Sequence, residues 1–300
     1  MFCVAVDDGH GMKTAGKRTP LFPDGSYMPE NAYNRAVASY LMDALKRCGF
    51  RVVAVAPGDE DTSLQTRVKR ANDAKADAYI SIHANAFGSD WNDANGVESW
   101  IYEKADAKTL DFGGKVHEAL VKACGRKNRG MKKSADLYVL RATKMPAVLI
   151  EGGFMTNREE AKLLLSEDYR KQCAEGICKG VCSYFGVAYK EETEGDEEVK
   201  RYQKIEDLPY VKSVLSMANT LPQGIPEEFL PYSITSELHT GSSCRMLVYI
   251  RTKTESDQAF RCTQEIEDII KRYYPEDSYL VGETPSTQDI KTTITSDNSR

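Results

Sequence analysis

Between Phe2 and Gly186, short apolar runs alternate with stretches whose apolar residues recur at helical spacing. FCVAVDD, FRVVAVAP, AYISIHAN, GVESWIYE and PAVLIEGG read as strands. PENAYNRAVASYLMDALKRCG puts Tyr33, Val37, Tyr40, Leu41, Ala44, Leu45 and Cys48 on one helical face, and Gly49 is a stop signal. TSLQTRVKRANDAKA, with Thr62 or Ser63 as cap, and TLDFGGKVHEALVKACG are further helices. NREEAKLLLSEDYRKQCAEGICKGVCSYFG supplies one or two more. Strands interleaved with helices in this way form an α/β fold, with a largely parallel sheet covered on both faces.

The character changes after Gly186. Glu191 to Glu198, EETEGDEE, holds six acidic residues in eight, a self-repelling block that reads as a solvated linker. The expected organisation is a domain over 1–186, an acidic linker over 187–203 and a small C-terminal module over 204–300. In that module RMLVYIRT and SYLVGE read as strands on either side of a helix, ESDQAFRCTQEIEDIIKRYY, giving a β-α-β unit. One such unit buries little apolar area.

A net charge of −5 argues against general affinity for nucleic acid. No apolar run reaches the roughly 18–20 residues that span a bilayer. The opening MFCVAVDDGHG lacks the basic and apolar regions of a secretory signal, so synthesis without a signal peptide in the cytoplasm is expected. The eight cysteines form no CxxC pair and read as reduced, buried thiols. Cys173, Cys178 and Cys182 read as small core residues of one helix rather than metal ligands.

Three strands end on polar side chains. CVAVDDGH runs into His10, YISIH ends at His83 and PAVLIE ends at Glu151. Ligands of open α/β sheets bind at the carboxyl ends of the strands, so these groups converge on one crevice. Two of the chain's four histidines stand there with a carboxylate, a donor set that suits zinc. A catalytic zinc takes three protein ligands and keeps a fourth position open. Glu30, in the first turn of the long helix, is the candidate third ligand; a helix-start glutamate without a metal is the other reading. His117 lies in HEALV, which lacks the second His of HExxH, and reads as a surface or half-buried helical residue. His239 reads as a loop residue. Asn85 either orients a neighbouring group or simply turns the chain out of its strand. Lys13, Lys17, Arg18, Arg129, Lys132 and Lys133 are candidates for a basic rim, the last two in a loop before LYVLR. Gly152 and Gly153 are expected to leave room for a substrate backbone.

VAVDDGHG, PENAYNRAVASYL, RVKRANDAKADAYISIHAN, GVESWIY and LYVLRATKMPAVLIEGGFMTN together resemble the successive motifs of the zinc-dependent N-acetylmuramoyl-L-alanine amidases, above all the lytic enzymes of clostridia and their phages. The resemblance covers residues 1–186. It implies a twisted, mostly parallel sheet of about six strands flanked by helices. It implies a zinc ion (Zn2+) held by His10, Glu30 and His83, with Glu151 as the catalytic carboxylate. Peptidoglycan is the implied substrate, which places the action on the cell wall after release, as an endolysin or an autolysin. Asn85, Lys132 and Lys133 are the substrate-binding candidates. Two other readings stand beside this one: a catalytically inactive wall- or partner-binding protein with the same fold, and a zinc amidohydrolase of another peptide.

Residues 208–298 resemble a different family, the extracytoplasmic domain of RND-type, MMPL-like exporters, through VKSVLSMANTLPQGIPEEFLP, RMLVYIRTKTESDQAF and YLVGETPSTQDIKTTITSDN. The membrane helices of such exporters are absent from this sequence, so the resemblance implies a chimeric or fused segment without a transport role; a novel wall- or protein-binding module is the other reading.

Overall fold

The apolar runs become strands β1 (Cys3–Asp8), β2 (Arg51–Ala54), β3 (Ala78–Asn85), β4 (Val97–Tyr102) and β6 (Ala147–Phe154), joined by β5 (Asn128–Ser134). Between them lie helices α1 (Glu30–Arg47), α2 (Leu64–Asp73), α3 (Ala107–Cys124), α4 (Tyr138–Ala142), α5 (Arg158–Leu165) and α6 (Glu167–Phe185). These elements come from a computed structural model that describes residues 1–193, 203–215, 239–240, 243–244, 246–253, 256–273, 278–281 and 285.

The sheet runs in the order β2-β1-β3-β6-β4-β5. Every neighbouring pair is parallel except β4 with β6, so the last two strands point the opposite way. Side-chain alternation explains the unbroken apolar runs. Val4, Val6, Ile80, Ile82, Val148 and Ile150 pack into the core shared with α1, α3 and α6. Cys3, Ala5, Tyr79, Ala147 and Leu149 pack on the opposite face with Val68 and Ala71 of α2 and Val139 and Leu140 of α4. A strand buried on both faces has no polar side to show in sequence.

Two elements departed from expectation. NRGMKKS, which carries Lys132 and Lys133, is the edge strand β5 rather than a loop. Its polar composition hides it, because an edge strand pairs on one side only and is half solvated. His117 is 3% exposed on the inner face of α3. Its Nδ1 lies 2.9 Å from Ser99 Oγ and its Nε2 2.8 Å from Asn128 Oδ1, so both ring nitrogens are satisfied structurally.

The first unit runs to Glu191. Residues 187–190, expected as linker, instead pack on the domain. Val187 donates its backbone N–H to the Cys182 carbonyl at 3.0 Å, and Arg47 Nε donates to the Lys190 carbonyl at 2.9 Å. Most of the acidic block, from residue 194 on, lies outside the described residues, as do most of the exporter-like phrases.

In the second unit, Val211–Leu215 pairs antiparallel with Leu247–Ile250. The helix Asp257–Tyr273 contributes Cys262 and Ile266 to a small core with Ile205, Val211 and Val214. The strand expected at SYLVGE is not formed over Ser278–Val281, where Tyr279 and Val281 are more than four-fifths exposed. Leu280 packs against the small core without joining a strand, and among the described residues of this unit the strands all precede the helix Asp257–Tyr273. His239 falls in a two-residue strand, His239–Thr240, paired with Ser243–Cys244, rather than in a loop. Among the described residues no helix is long and apolar enough to cross a membrane.

Helices α3 and α6 meet through glycines. A Cβ on Gly180 would stand 2.5 Å from Val116 Cα, a contact that only backbone movement relieves. Gly180→Val is therefore expected to cost roughly 1–3 kcal/mol by overpacking. It should lower the urea midpoint of the first unit, while the same change at exposed Ser183 leaves that midpoint nearly in place.

Candidate metal centre

β1 and β3 are parallel neighbours, so the chain leaving β1 and the end of β3 reach the same edge of the sheet. That brings His10 and His83 together, with ring centroids 4.9 Å apart and planes at 85°. The first turn of α1 delivers Glu30 between them. Glu30 Oε1 lies 2.9 Å from His83 Nδ1, and Oε2 lies 3.4 Å from His10 Nε2. One ligand atom from each of the three residues falls within 4.8 Å of the other two. Glu30 itself is 2% exposed.

The loop carrying His10 is held against its own backbone preference. His10 has φ of +63°, a left-handed conformation uncommon outside glycine. Its carbonyl accepts hydrogen bonds from Asn31 Nδ2 at 3.1 Å and Arg67 Nη2 at 3.0 Å. Asn31 Nδ2 also reaches the carbonyls of Asp8 at 3.0 Å and Gly9 at 2.9 Å, and Asn34 Nδ2 reaches Gly9 at 2.9 Å. Gly9 is needed for a second reason: a Cβ there would sit 2.1 Å from the His83 ring.

Arg67 and Asp7 form an ion pair beneath this loop, each 1% exposed. The second oxygen of Asp7 accepts from Tyr79 OH at 2.7 Å and Ser81 Oγ at 2.8 Å. Ser81 Oγ in turn lies 3.2 Å from His83 Nε2. A continuous polar network thus runs from the loop of one imidazole to the ring of the other.

Glu151 stands opposite His83 in the β3–β6 register and opposite Glu98 in the β6–β4 register. Its Oε2 is buried and has no hydrogen-bond partner. Burial pushes its carboxyl up to about 8, with Glu30 and Glu98 adding to the shift and His83 opposing it. Burial likewise lowers His10 to about 4, which leaves its imidazole neutral with a free lone pair. At Glu30 burial works the other way, but the hydrogen bond and charge of His83 outweigh it and hold the carboxyl below its ordinary value. Burial would lower His83 too; the Glu30 partner overrides it and raises that ring.

Three of the remaining sequence candidates, Asn85, Arg129 and Lys132, gather on Glu98, which is 3% exposed. Asn85 Nδ2 donates to its Oε1 at 2.9 Å. Arg129 Nε at 2.7 Å and Lys132 Nζ at 2.6 Å donate to its Oε2. Lys133 is exposed on β5. Gly152 does not open space for substrate: a Cβ there would meet Tyr33 OH at 1.9 Å, so the glycine admits that hydroxyl. Gly153 is buried and faces Glu160.

Sequence reasoning missed Asp7, Arg67, Asn31, Asn34 and Glu98. Two signals were available: carboxylates inside the apolar runs CVAVDD and GVESWIY, and the spacing of Glu30, Asn31 and Asn34 on one helical turn. Arg67 gave none, since one arginine in a polar helix reads as solvated. Arg67→Met leaves the Asp7 charge buried without its partner, an expected loss of roughly 3–5 kcal/mol. Urea unfolding checks this, and Arg67→Lys should recover only part of it because lysine cannot reach Asp7, Asp61 and the His10 carbonyl together.

Residues 4–183 match the Amidase_3 family, N-acetylmuramoyl-L-alanine amidase. The chain is 34% identical over 185 residues to the uncharacterized protein YqiI of Bacillus subtilis, covering 61% of this chain and 84% of that one. It is 33% identical over 185 residues to the N-acetylmuramoyl-L-alanine amidase LytC of Bacillus subtilis, spanning 61% of this chain and 35% of LytC. The solved catalytic domain of CwlV, an N-acetylmuramoyl-L-alanine amidase from Bacillus (Paenibacillus) polymyxa var. colistinus, aligns with a TM-score of 0.57 at 32% identity, over 63% of this chain and 100% of that domain. The matched residues, and the sheet that carries His10, Glu30, His83 and Glu151, make this chain a member of the N-acetylmuramoyl-L-alanine amidase family.

Proposed function

We propose that the first unit hydrolyses the amide between the lactyl group of N-acetylmuramic acid and L-alanine in peptidoglycan, with a zinc ion held by His10, Glu30 and His83. One observation carries this reading. Two imidazoles and a buried carboxylate offer donor atoms within 4.8 Å of one another, beside a second carboxylate whose buried oxygen has no partner. Two histidines and one glutamate are a donor set that catalytic zinc accepts.

Zinc bound there supplies the Lewis acidity that makes water nucleophilic at neutral pH and polarises an amide carbonyl. The chain supplies the rest. Asn31, Asn34 and Arg67 fix the His10 loop, so its imidazole is aimed before substrate arrives. Glu151 takes a proton from the attacking water at Oε2 and returns it to the departing nitrogen. A carboxyl raised to about 8 does both near neutral pH, because neither protonation state is far out of reach. Asn85 and Lys132 act indirectly by holding Glu98, which faces Glu151 across the sheet. Lys133, whose side chain is exposed, is the better candidate of the two lysines for the carboxylates of a peptide stem. The place of action is the cell wall.

Metal analysis combined with muropeptide mapping of digested walls tests this. His10→Ala should lose one ion per chain relative to wild type and lose cleavage. Glu151→Gln should keep the wild-type metal content and cleave roughly 100- to 10,000-fold more slowly. A chelator should abolish release of new muramic carboxyl groups, and added zinc should restore it. Cleavage by Glu151→Gln at the wild-type rate removes Glu151 from its role; a metal-loaded wild type that binds walls without cutting them supports a binding function instead.

A further inference from the structure

A second group of ligating side chains lies elsewhere in the first unit. Cys48 caps the C-terminus of α1, and Cys178 and Cys182 stand one helical turn apart on the facing side of α6. One sulfur from each lies within 4.8 Å of the other two, and Cys178 Sγ is 3.8 Å from Cys48 Sγ. The three are at most 5% exposed. We propose that Cys48, Cys178 and Cys182 form a thiolate site for a soft divalent ion of the zinc or cadmium class, separate from the His10, Glu30 and His83 centre.

Two features of the site favour an ion over packing alone. Thiolates bound at about 2.3 Å around a tetrahedral ion stand about 3.8 Å apart, so these sulfurs need to move little to share one ion. The backbone N–H of Lys190 donates to Cys48 Sγ at 3.3 Å, the contact that steadies a thiolate in a metal site. Three thiolates around a divalent ion leave one net negative charge; the neighbouring Arg47 guanidinium is already paired with Glu175 at 2.7 Å. Binding releases the thiol protons to solvent and changes no oxidation state. The ion would join the end of α1 to α6 where residues 187–190 pack on the domain, because Lys190 is already held on Cys48.

The test uses the full 300-residue chain, reduced and refolded with zinc or cadmium alone. Wild type should bind two ions. His10→Ala should keep one, with an undiminished cadmium–thiolate charge-transfer band in the ultraviolet. The double variant Cys178→Ala, Cys182→Ala should lose that band and one ion while keeping amidase activity and a native circular dichroism spectrum. Should the variant fail to fold, the band in wild type and in His10→Ala decides the matter. A wild type without the band, or a mass lower by two hydrogens with no metal bound, overturns the proposal; the latter marks a disulfide. Loss of zinc from the histidine centre alone, with the band intact, counts against the proposed amidase chemistry and not against this site.

Discussion

The pairing of β3 with β6 is the constraint on which the crevice depends. It sets His83 opposite Glu151, so one parallel ladder delivers both an imidazole and a carboxylate to the same edge. A slip of one residue would turn every side chain of the strand to the other face. Such a slip is blocked by apolar burial along the whole ladder, since Ile80, Ile82, Val148 and Ile150 on one face and Tyr79 and Leu149 on the other are all at most 4% exposed. The site is therefore placed by the core, and its own polar groups contribute orientation rather than position.

Orientation is supplied by buried charge. The Arg67–Asp7 pair gives up hydration on both partners, and such pairs seldom stabilise a fold outright. Here it satisfies the Asp8 and His10 carbonyls as well, alongside the amides of Asn31 and Asn34. The same pattern recurs around Glu98, where an amide, a guanidinium and an ammonium converge on one carboxylate. At Glu98 burial would raise the carboxyl, but the hydrogen bonds of Arg129 and Lys132 outweigh it and hold the group below its ordinary value. Glu151 Oε2 has no such partner, and burial raises that carboxyl's affinity for its proton.

Helix α1 links the two centres. It carries Glu30 in its first turn and Cys48 at its C-cap, roughly 27 Å apart at the ordinary rise of an α-helix. The two ends present different chemistry: oxygen and nitrogen donors open to a crevice, and sulfur donors enclosed between helices. Enclosure suits a structural ion, whereas turnover requires an open position.

The strand–helix alternation and the two-faced burial of the sheet were legible in sequence, because periodicity and apolar runs are local properties of the chain; the strand ends were read less well, since β1 stops at Asp8 before His10, and β3 and β6 run past His83 and Glu151 to Asn85 and Phe154. The cap of α2 at Ser63 was legible for the same reason. The polar edge strand β5 was not, since half its surface faces water and it has no apolar stripe to betray it. Nor were the roles of Gly152, His117, Lys132 and Arg67, which each depend on a partner distant along the chain: Tyr33, Ser99 and Asn128, Glu98, and Asp7. Glu30 stood between the two cases. Its place at the start of a helix was evident, but only the crossing of α1 over the ends of β1 and β3 made it a neighbour of both imidazoles. Local order is written in the spacing of residue types, while a site of several ligands exists only once the chain has folded back on itself.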